Sequence, residues 1–319
     1  MNLNRIRGSF FFGKDAPVPE HVHGGYKMNF YQQLDQIMKQ DMGGRGLLGS
    51  LPENPIPDAA DALKHITKAI LLTGFPVKTG EDSYTGETDG PSGTSNLARA
   101  LTDTGVEVLV VTDRPSYPLL KAALAFRAPK AKLAMLPESD TDCFIRDCIK
   151  EFCPSHLISL ERPGKATDGH YHNMRGKIID SMVTDSSLFL SEAKQAGAVV
   201  ISIGDGGNEM GMGTFRKEVE AHVPCGDLIC TSEAADITLA AGVSNWWGWG
   251  LSALLSLQSG HYLLPTDTEE KELLHHVVLA GGVDGCTGEP TETVDHLSLS
   301  DNLSILHAVS DLVKEKLYA

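Results

Sequence analysis

The sequence predicts an α/β fold, a doubly wound, mostly parallel sheet with an N-terminal helical arm. Three observations carry this. Strand-like and helix-like segments alternate along most of the chain. The strand-like segments are unbroken apolar runs, clearest at 198–203 (AVVISI), as expected of strands covered on both faces. The helical stretch 91–104 starts on Pro91 and has Gly105 just past its end, the asymmetry of a well-delimited helix.

Taken in order, residues 1–26 read as an irregular N-terminal arm, with Pro17, Pro19 and a Gly24-Gly25 pair, and 27–319 as a single α/β catalytic domain. Phe30, Leu34, Ile37 and Met38 recur at helical spacing and predict a helix over 29–40, broken by Gly43-Gly44-Arg45-Gly46. Beyond Pro52, Pro55 and Pro57, Asp58 is placed to cap a helix over 58–68. The run AILLTGF predicts a strand at 69–75, and VEVLVVT another at 106–112. A helix is expected over 117–126, a strand over 132–136, a helix over 140–152 and a strand over 156–160. Helices are expected over 173–181 and 187–196, the second stopped by Gly197 before the 198–203 strand. Further helices follow Asn208 and cover 246–260, 269–279 and 305–317.

The charge balance narrows the function. With 27 Lys and Arg against 42 Asp and Glu, the net charge is −15. Such a surface repels phosphate backbones and anionic lipids, which argues against nucleic-acid and membrane partners. It suits a site that takes a metal cation or an ammonium group. No stretch approaches the ~18 apolar residues of a membrane span, and the apolar patch at 10–12 is too short for a secretory signal. The six cysteines form no CxxC pair and read as reduced thiols. A cytoplasmic enzyme is therefore expected, and a homo-oligomer remains open.

Ligands of open parallel sheets bind at the carboxyl ends of strands, so the loops there carry the functional expectation. Four are rich in glycine and acid. The first holds Glu87, Asp89 and Gly90, and opens a helix at Pro91-Ser92-Gly93-Thr94-Ser95. Free N–H groups and the hydroxyls of Ser92 and Thr94 make that helix start a seat for a carboxylate or phosphate; a plain capped turn is the other reading. The second, directly after 198–203, is Gly204-Asp205-Gly206-Gly207-Asn208-Glu209. Here Gly206 and Gly207 permit close backbone approach between two carboxylates; a glycine turn with Asn208 as a helix cap is the alternative. The third, 161–172, offers Arg162 and Lys165 to hold substrate carboxylates, with Asp168 beside His170 and His172. The fourth, 281–289, places Asp284 and Glu289 among glycines. No Gly-Lys-Ser/Thr phosphate loop, dinucleotide fingerprint or His-Glu-x-x-His motif occurs, so no nucleotide cofactor is expected.

These residue types support a mechanism in outline. Asp205, Glu209, Glu87 and Asp89 are the candidate catalytic carboxylates, any one of which can hold an ammonium group and take its proton. Arg162, Lys165, Asp168, Gly90, Ser92, Thr94, Gly206, Gly207, Asn208 and Asp284 are the candidate substrate-binding residues. A divalent cation, Mn²⁺ or Mg²⁺, is the expected cofactor, with Asp205, Glu209, Asp89 and Asp284 as candidate ligands.

The segments GETDGPSGTSNLARAL, VLVVTD, SLERPGKATDGHYHNMRG, IGDGGNEMGMG and GGVDGCTGE, in this order, resemble the carboxy-terminal domain of the D-glutamate cyclase family over about 28–318. The resemblance implies a lyase that interconverts D-glutamate and 5-oxo-D-proline plus water, acting on a small amino acid. One departure stands out: Val294-Asp295-His296 occurs where the family leads one to expect Val-Asp-Gly. The competing readings are a Mg²⁺-dependent phosphate- or nucleotide-handling enzyme, which would be stabilised by nucleotide, and a non-catalytic amino-acid-binding protein, which would bind without turnover.

Overall fold

A computed structural model describes residues 28–319. The expected irregular arm lies outside the described residues. Helix α1 (Phe30–Met38) forms where the spacing placed it, with Asn29 and Gln32 closing a reciprocal capping box. Helix α2 (Ile56–Leu63) starts before Asp58, because Pro55 and Pro57 preset the first turn; Asp58 lies inside that turn instead of capping it. Strand β1 (Lys68–Thr73) leads into an antiparallel hairpin, β2 (Pro76–Lys78) and β3 (Tyr84–Gly86), too short to show in the hydrophobic pattern. Then follow α3 (Pro91–Asp103), β4 (Glu107–Thr112), α4 (Tyr117–Arg127), β5 (Lys132–Met135), α5 (Thr141–Phe152) and β6 (His156–Leu160). After a long loop come α6 (Leu188–Gln195), β7 (Val199–Gly204), α7 (Arg216–His222), α8 (Gly226–Ile229), β8 (Ile237–Ala240), α9 (Trp246–Ser259) and α10 (Asp267–Leu279). A small antiparallel pair, β9 (Thr293–Val294) and β10 (Leu297–Ser298), precedes α11 (Leu299–Leu317).

One expected helix is not formed, and another starts late. Over 173–181 the Asn173 side chain accepts from the Arg175 and Lys177 N–H groups, and Gly176 turns at φ 71°. Local side-chain bonds of this kind compete with helix, and only Asp180–Met182 makes a single 3-10 turn. The helix expected after Asn208 starts late: Gly211 turns at φ 87°, Gly213–Phe215 makes a 3-10 turn, and α7 begins at Arg216.

The sheet has six strands in the order β5-β4-β1-β6-β7-β8, all parallel. The chain starts at the centre, works out to β5, returns to β6 and works out to β8. Helices cover both faces. In β1, Ala69 and Leu71 pack with α3, α4, α9, α10 and α11, while Ile70 and Leu72 pack with α5 and α6. The strand order reverses between β1 and β6, so the loops leaving these strands part and open a crevice. Among the described residues no helix is long and apolar enough to cross a membrane.

Helix α3 is held over this crevice by a close crossing with α9. A Cβ at Gly93 would lie 2.6 Å from the Asn245 Cα, and one at Gly248 would run into the Gly93 carbonyl. Gly248→Ala is therefore expected to destabilise the fold by about 1–3 kcal/mol, the usual cost of overpacking. A lower midpoint in urea unfolding checks this, and an unchanged midpoint would show that the helices can part freely.

Candidate active site

The loops at the crevice gather a group of buried carboxylates. Glu87 and Asp89 come from the loop before α3, Glu161 from the end of β6, Asp205 and Glu209 from the loop after β7, and Asp295 from the turn between β9 and β10; all are buried. Carboxylate oxygens of Asp89, Glu161 and Asp205 lie within 4.8 Å of one another.

Several are held by backbone groups. The Glu87 N–H donates to Phe75 O (3.0 Å) and the Thr88 N–H to Val283 O (2.9 Å), which ties this loop to 281–289. Gly285 leaves the space that Glu87 Oε2 fills. Asp89 accepts from the N–H groups of Gly90 (2.9 Å), Asn245 (2.8 Å) and Ser244 (3.0 Å). Glu161 sits at φ 48°, a left-handed conformation that a glutamate adopts at a cost of about 1–2 kcal/mol and that clusters at functional sites.

Two acids serve their own loops. Both Glu209 oxygens accept backbone N–H groups, from Gly206 (2.8 Å) and Gly207 (2.7 Å), so these amides hold an internal carboxylate. Asp284 accepts from the Cys286 and Thr287 N–H groups (both 3.0 Å), the Thr293 hydroxyl (2.7 Å) and the His296 N–H (2.8 Å). It thereby shapes the turn that presents Asp295. That turn keeps Asp295 at φ 52° and His296 at φ 68°. A glycine reaches such angles without strain, which is a physical reason to expect glycine where this chain has His296.

The cations are placed differently from the expectation that Arg162 and Lys165 face the ligand. Arg162 is fully buried and donates to Asp113 (2.6 Å), Ser186 (3.0 Å) and the carbonyls of Thr184 (2.5 Å) and Gly74 (3.2 Å). Lys165 pairs with Asp185. Among the described residues it is Arg45, from the loop between α1 and α2, that pairs with the cluster: Nη1 on Asp205 Oδ1, and Nη2 on Asp295 Oδ2 at 2.8 Å. The start of α3 is also occupied, since Asn245 Oδ1 accepts the N–H groups of Gly90 (2.9 Å) and Gly93 (2.7 Å). Ser92 and Thr94 are buried with hydroxyls that have no partner among the described residues. Asn208 is buried and donates to the His172 carbonyl (2.8 Å). Asp168 is exposed and engages His172 Nε2 at 2.8 Å.

The electrostatics follow from this crowding. Burial first, then the charge of Asp295 and Asp89, hold Glu87 well above the ordinary carboxylate range. Burial and Asp295 do the same to Asp89; burial, Glu209 and Asp89 do it to Glu161. Glu209 and Asp295 are raised by burial against the pull of Arg45. Burial would lower the Arg45 guanidinium, but Asp295, Glu161 and Glu209 outweigh it and bind its proton more tightly. So many buried carboxylates are charged together only when cations accompany them.

A metal ion fits the donor set. Glu161 Oε2 and Asp205 Oδ2 are buried with no hydrogen-bond partner among the described residues. Such orphaned oxygens are costly unless something fills their lone pairs, and clustered carboxylate oxygens suit hard divalent ions.

Sequence reasoning missed Glu161, Asp295 and Arg45. Glu161 is the residue directly after β6, where the strand-end rule already pointed. Arg45 gave one signal, an arginine set among glycines, which reads from sequence as a helix break.

Residues 34–310 match the family described as D-glutamate cyclase-like, C-terminal. The human protein named D-glutamate cyclase, mitochondrial, is 31% identical over 236 residues, which cover 70% of this chain and 38% of the human protein. The chain thus spans well under half of that relative's length. By the extent of these matches, the chain belongs to the D-glutamate cyclase-like family and corresponds to its C-terminal region.

Proposed function

We propose that this chain interconverts D-glutamate and 5-oxo-D-proline plus water in the crevice between β1 and β6. The observation that carries the reading is the trio Asp89, Glu161 and Asp205, buried at the sheet's switch point with two oxygens unpartnered among the described residues. In ring closure the amine nitrogen bonds to the γ-carboxyl carbon and one carboxyl oxygen leaves as water. Asp89, Glu161 and Asp205 would hold a divalent cation. A bound Mn²⁺ or Mg²⁺ supplies Lewis-acid polarisation of the γ-carboxyl group. Glu87, buried beside the trio, carries the two protons that the substrate ammonium loses, one after the other, to the departing oxygen, which leaves as water. Glu209 and Asp284 act through the loops they shape. Residues lining the crevice hold amine and carboxyl in contact, which removes much of the entropic barrier.

An NMR time course with D-glutamate, L-glutamate and both enantiomers of 5-oxoproline tests this. Conversion is expected in the D series alone, lost with a chelator and restored by Mn²⁺ or Mg²⁺. Equal rates with and without chelator would remove the ion from the mechanism, and no conversion of any of these compounds would remove the reaction.

A further inference from the structure

We infer that Arg45 receives the α-carboxylate of the substrate, and that Asp205 and Asp295 are where its guanidinium rests between substrates. This rests on the reaction proposed above. In that reaction the γ-carboxyl group loses an oxygen and must be activated, whereas the α-carboxylate persists in both D-glutamate and 5-oxoproline. A fixed positive charge therefore serves the α-carboxylate, which it can hold through the whole conversion.

The cations and amides named above around the crevice are occupied from within, whereas the hydroxyls of Ser92 and Thr94 have no partner among the described residues but carry no charge. Arg162 is bound to Asp113, Lys165 to Asp185, the first amides of α3 to Asn245, and the amides of Gly206 and Gly207 to Glu209. Arg45 differs in its tether. Its side chain is 20% exposed and points into the cluster, while residues 41–44 and 46 around it are exposed. A Cβ at Gly43, Gly44 or Gly46 would meet nothing within 4 Å, so the loop stands clear of the rest of the fold. Asp41 fixes its direction by accepting the N–H groups of Arg45 and Gly46, both at 2.9 Å. The partners are also exchangeable. A cation held by Asp89, Glu161 and Asp205 would neutralise part of the charge on Asp205 and so weaken its claim on Arg45. The planar guanidinium can then offer a forked pair of donors to an incoming carboxylate.

The test compares D-glutamate with D-isoglutamine, in which an amide replaces the α-carboxylate and the γ-carboxylate is kept. Steady-state kinetics with Mn²⁺ are measured for wild type, Arg45→Lys and Arg45→Met. Wild type is expected to prefer D-glutamate by about 10²-fold in kcat/KM, the scale of losing one partner of a desolvated charge pair. Arg45→Met is expected to lower kcat/KM on both substrates, because Asp205 and Asp295 lose their cation, but to lower D-glutamate about 10²-fold further, mainly through KM, so the preference collapses. Arg45→Lys, which keeps the charge without the fork, falls between, and it carries the comparison if Arg45→Met does not fold. A purely structural role would lower both substrates together and leave the preference intact, which overturns the inference while the proposed reaction stands. A wild type that converts neither compound removes both.

Discussion

Asp205→Asn is expected to lower kcat for D-glutamate on the order of 10³-fold while leaving the metal-free protein at least as stable as wild type. The two effects have opposite signs for one reason. Asp205 Oδ1 takes the Arg45 guanidinium and Oδ2 is buried without a partner among the described residues. An asparagine still accepts from Arg45 through its oxygen, but it no longer adds a negative charge to Glu87, Asp89, Glu161 and Asp295. Without metal, that relieves repulsion among buried carboxylates. With metal, one of three proposed ligands has lost its charge. Thermal unfolding should show Mn²⁺ raising the Tm of wild type by mass action and doing little for the variant. Turnover at the wild-type rate, or an unchanged response to Mn²⁺, would take Asp205 out of the ion's shell.

How much of this was legible in the sequence depends on the range of the interaction. Unbroken apolar runs such as 198–203 located the strands, and the strand-end rule then pointed to the loops that hold Glu87, Asp89, Asp205 and Asp284. Local patterns were legible in principle yet read too simply. Glu209 follows Gly206 and Gly207 closely enough to close on their amides, and Asp284 precedes the two amides it binds. Both are short-range side-chain-to-backbone bonds of the kind that shape turns. The choice among cations was not legible. Arg162 and Arg45 are both arginines near glycine, and only the folded chain brings Arg45 to Asp205 across 160 residues. The failed helix over 173–181 belongs with the local cases, because Asn173 and Gly176 outweigh the surrounding helix formers.

Arg162→Met is expected to cost about 3–5 kcal/mol of stability, the penalty for leaving a buried carboxylate without its partner. Arg162 and Asp113 are both fully shielded from solvent, and Nη1 lies 2.6 Å from Asp113 Oδ2. The pair spans the crevice from beneath: Asp113 follows β4, Arg162 follows β6, and β1 runs between them, its own end tied in through the Gly74 carbonyl. The same guanidinium donates to Ser186 and to the Thr184 carbonyl, so it also anchors the loop that precedes α6. Methionine fills most of the volume and satisfies none of these acceptors. Urea unfolding of the variant should therefore show a much lower midpoint. Adding Asp113→Leu should recover part of the loss, because replacing both charges by apolar groups removes the orphaned carboxylate. The kinetics separate this role from ligand binding. At a temperature where the Arg162→Met protein is still folded, its KM for D-glutamate should stay within a few-fold of wild type. A KM raised about 10²-fold in a variant of undiminished stability would instead make Arg162 a substrate clamp. The neighbouring Glu161 links the two outcomes, since its strained backbone at φ 48° is held in place from the adjacent residue. A modest fall in kcat is thus expected even where substrate affinity is kept, because a loosened Arg162 lets Glu161 relax away from Asp89 and Asp205.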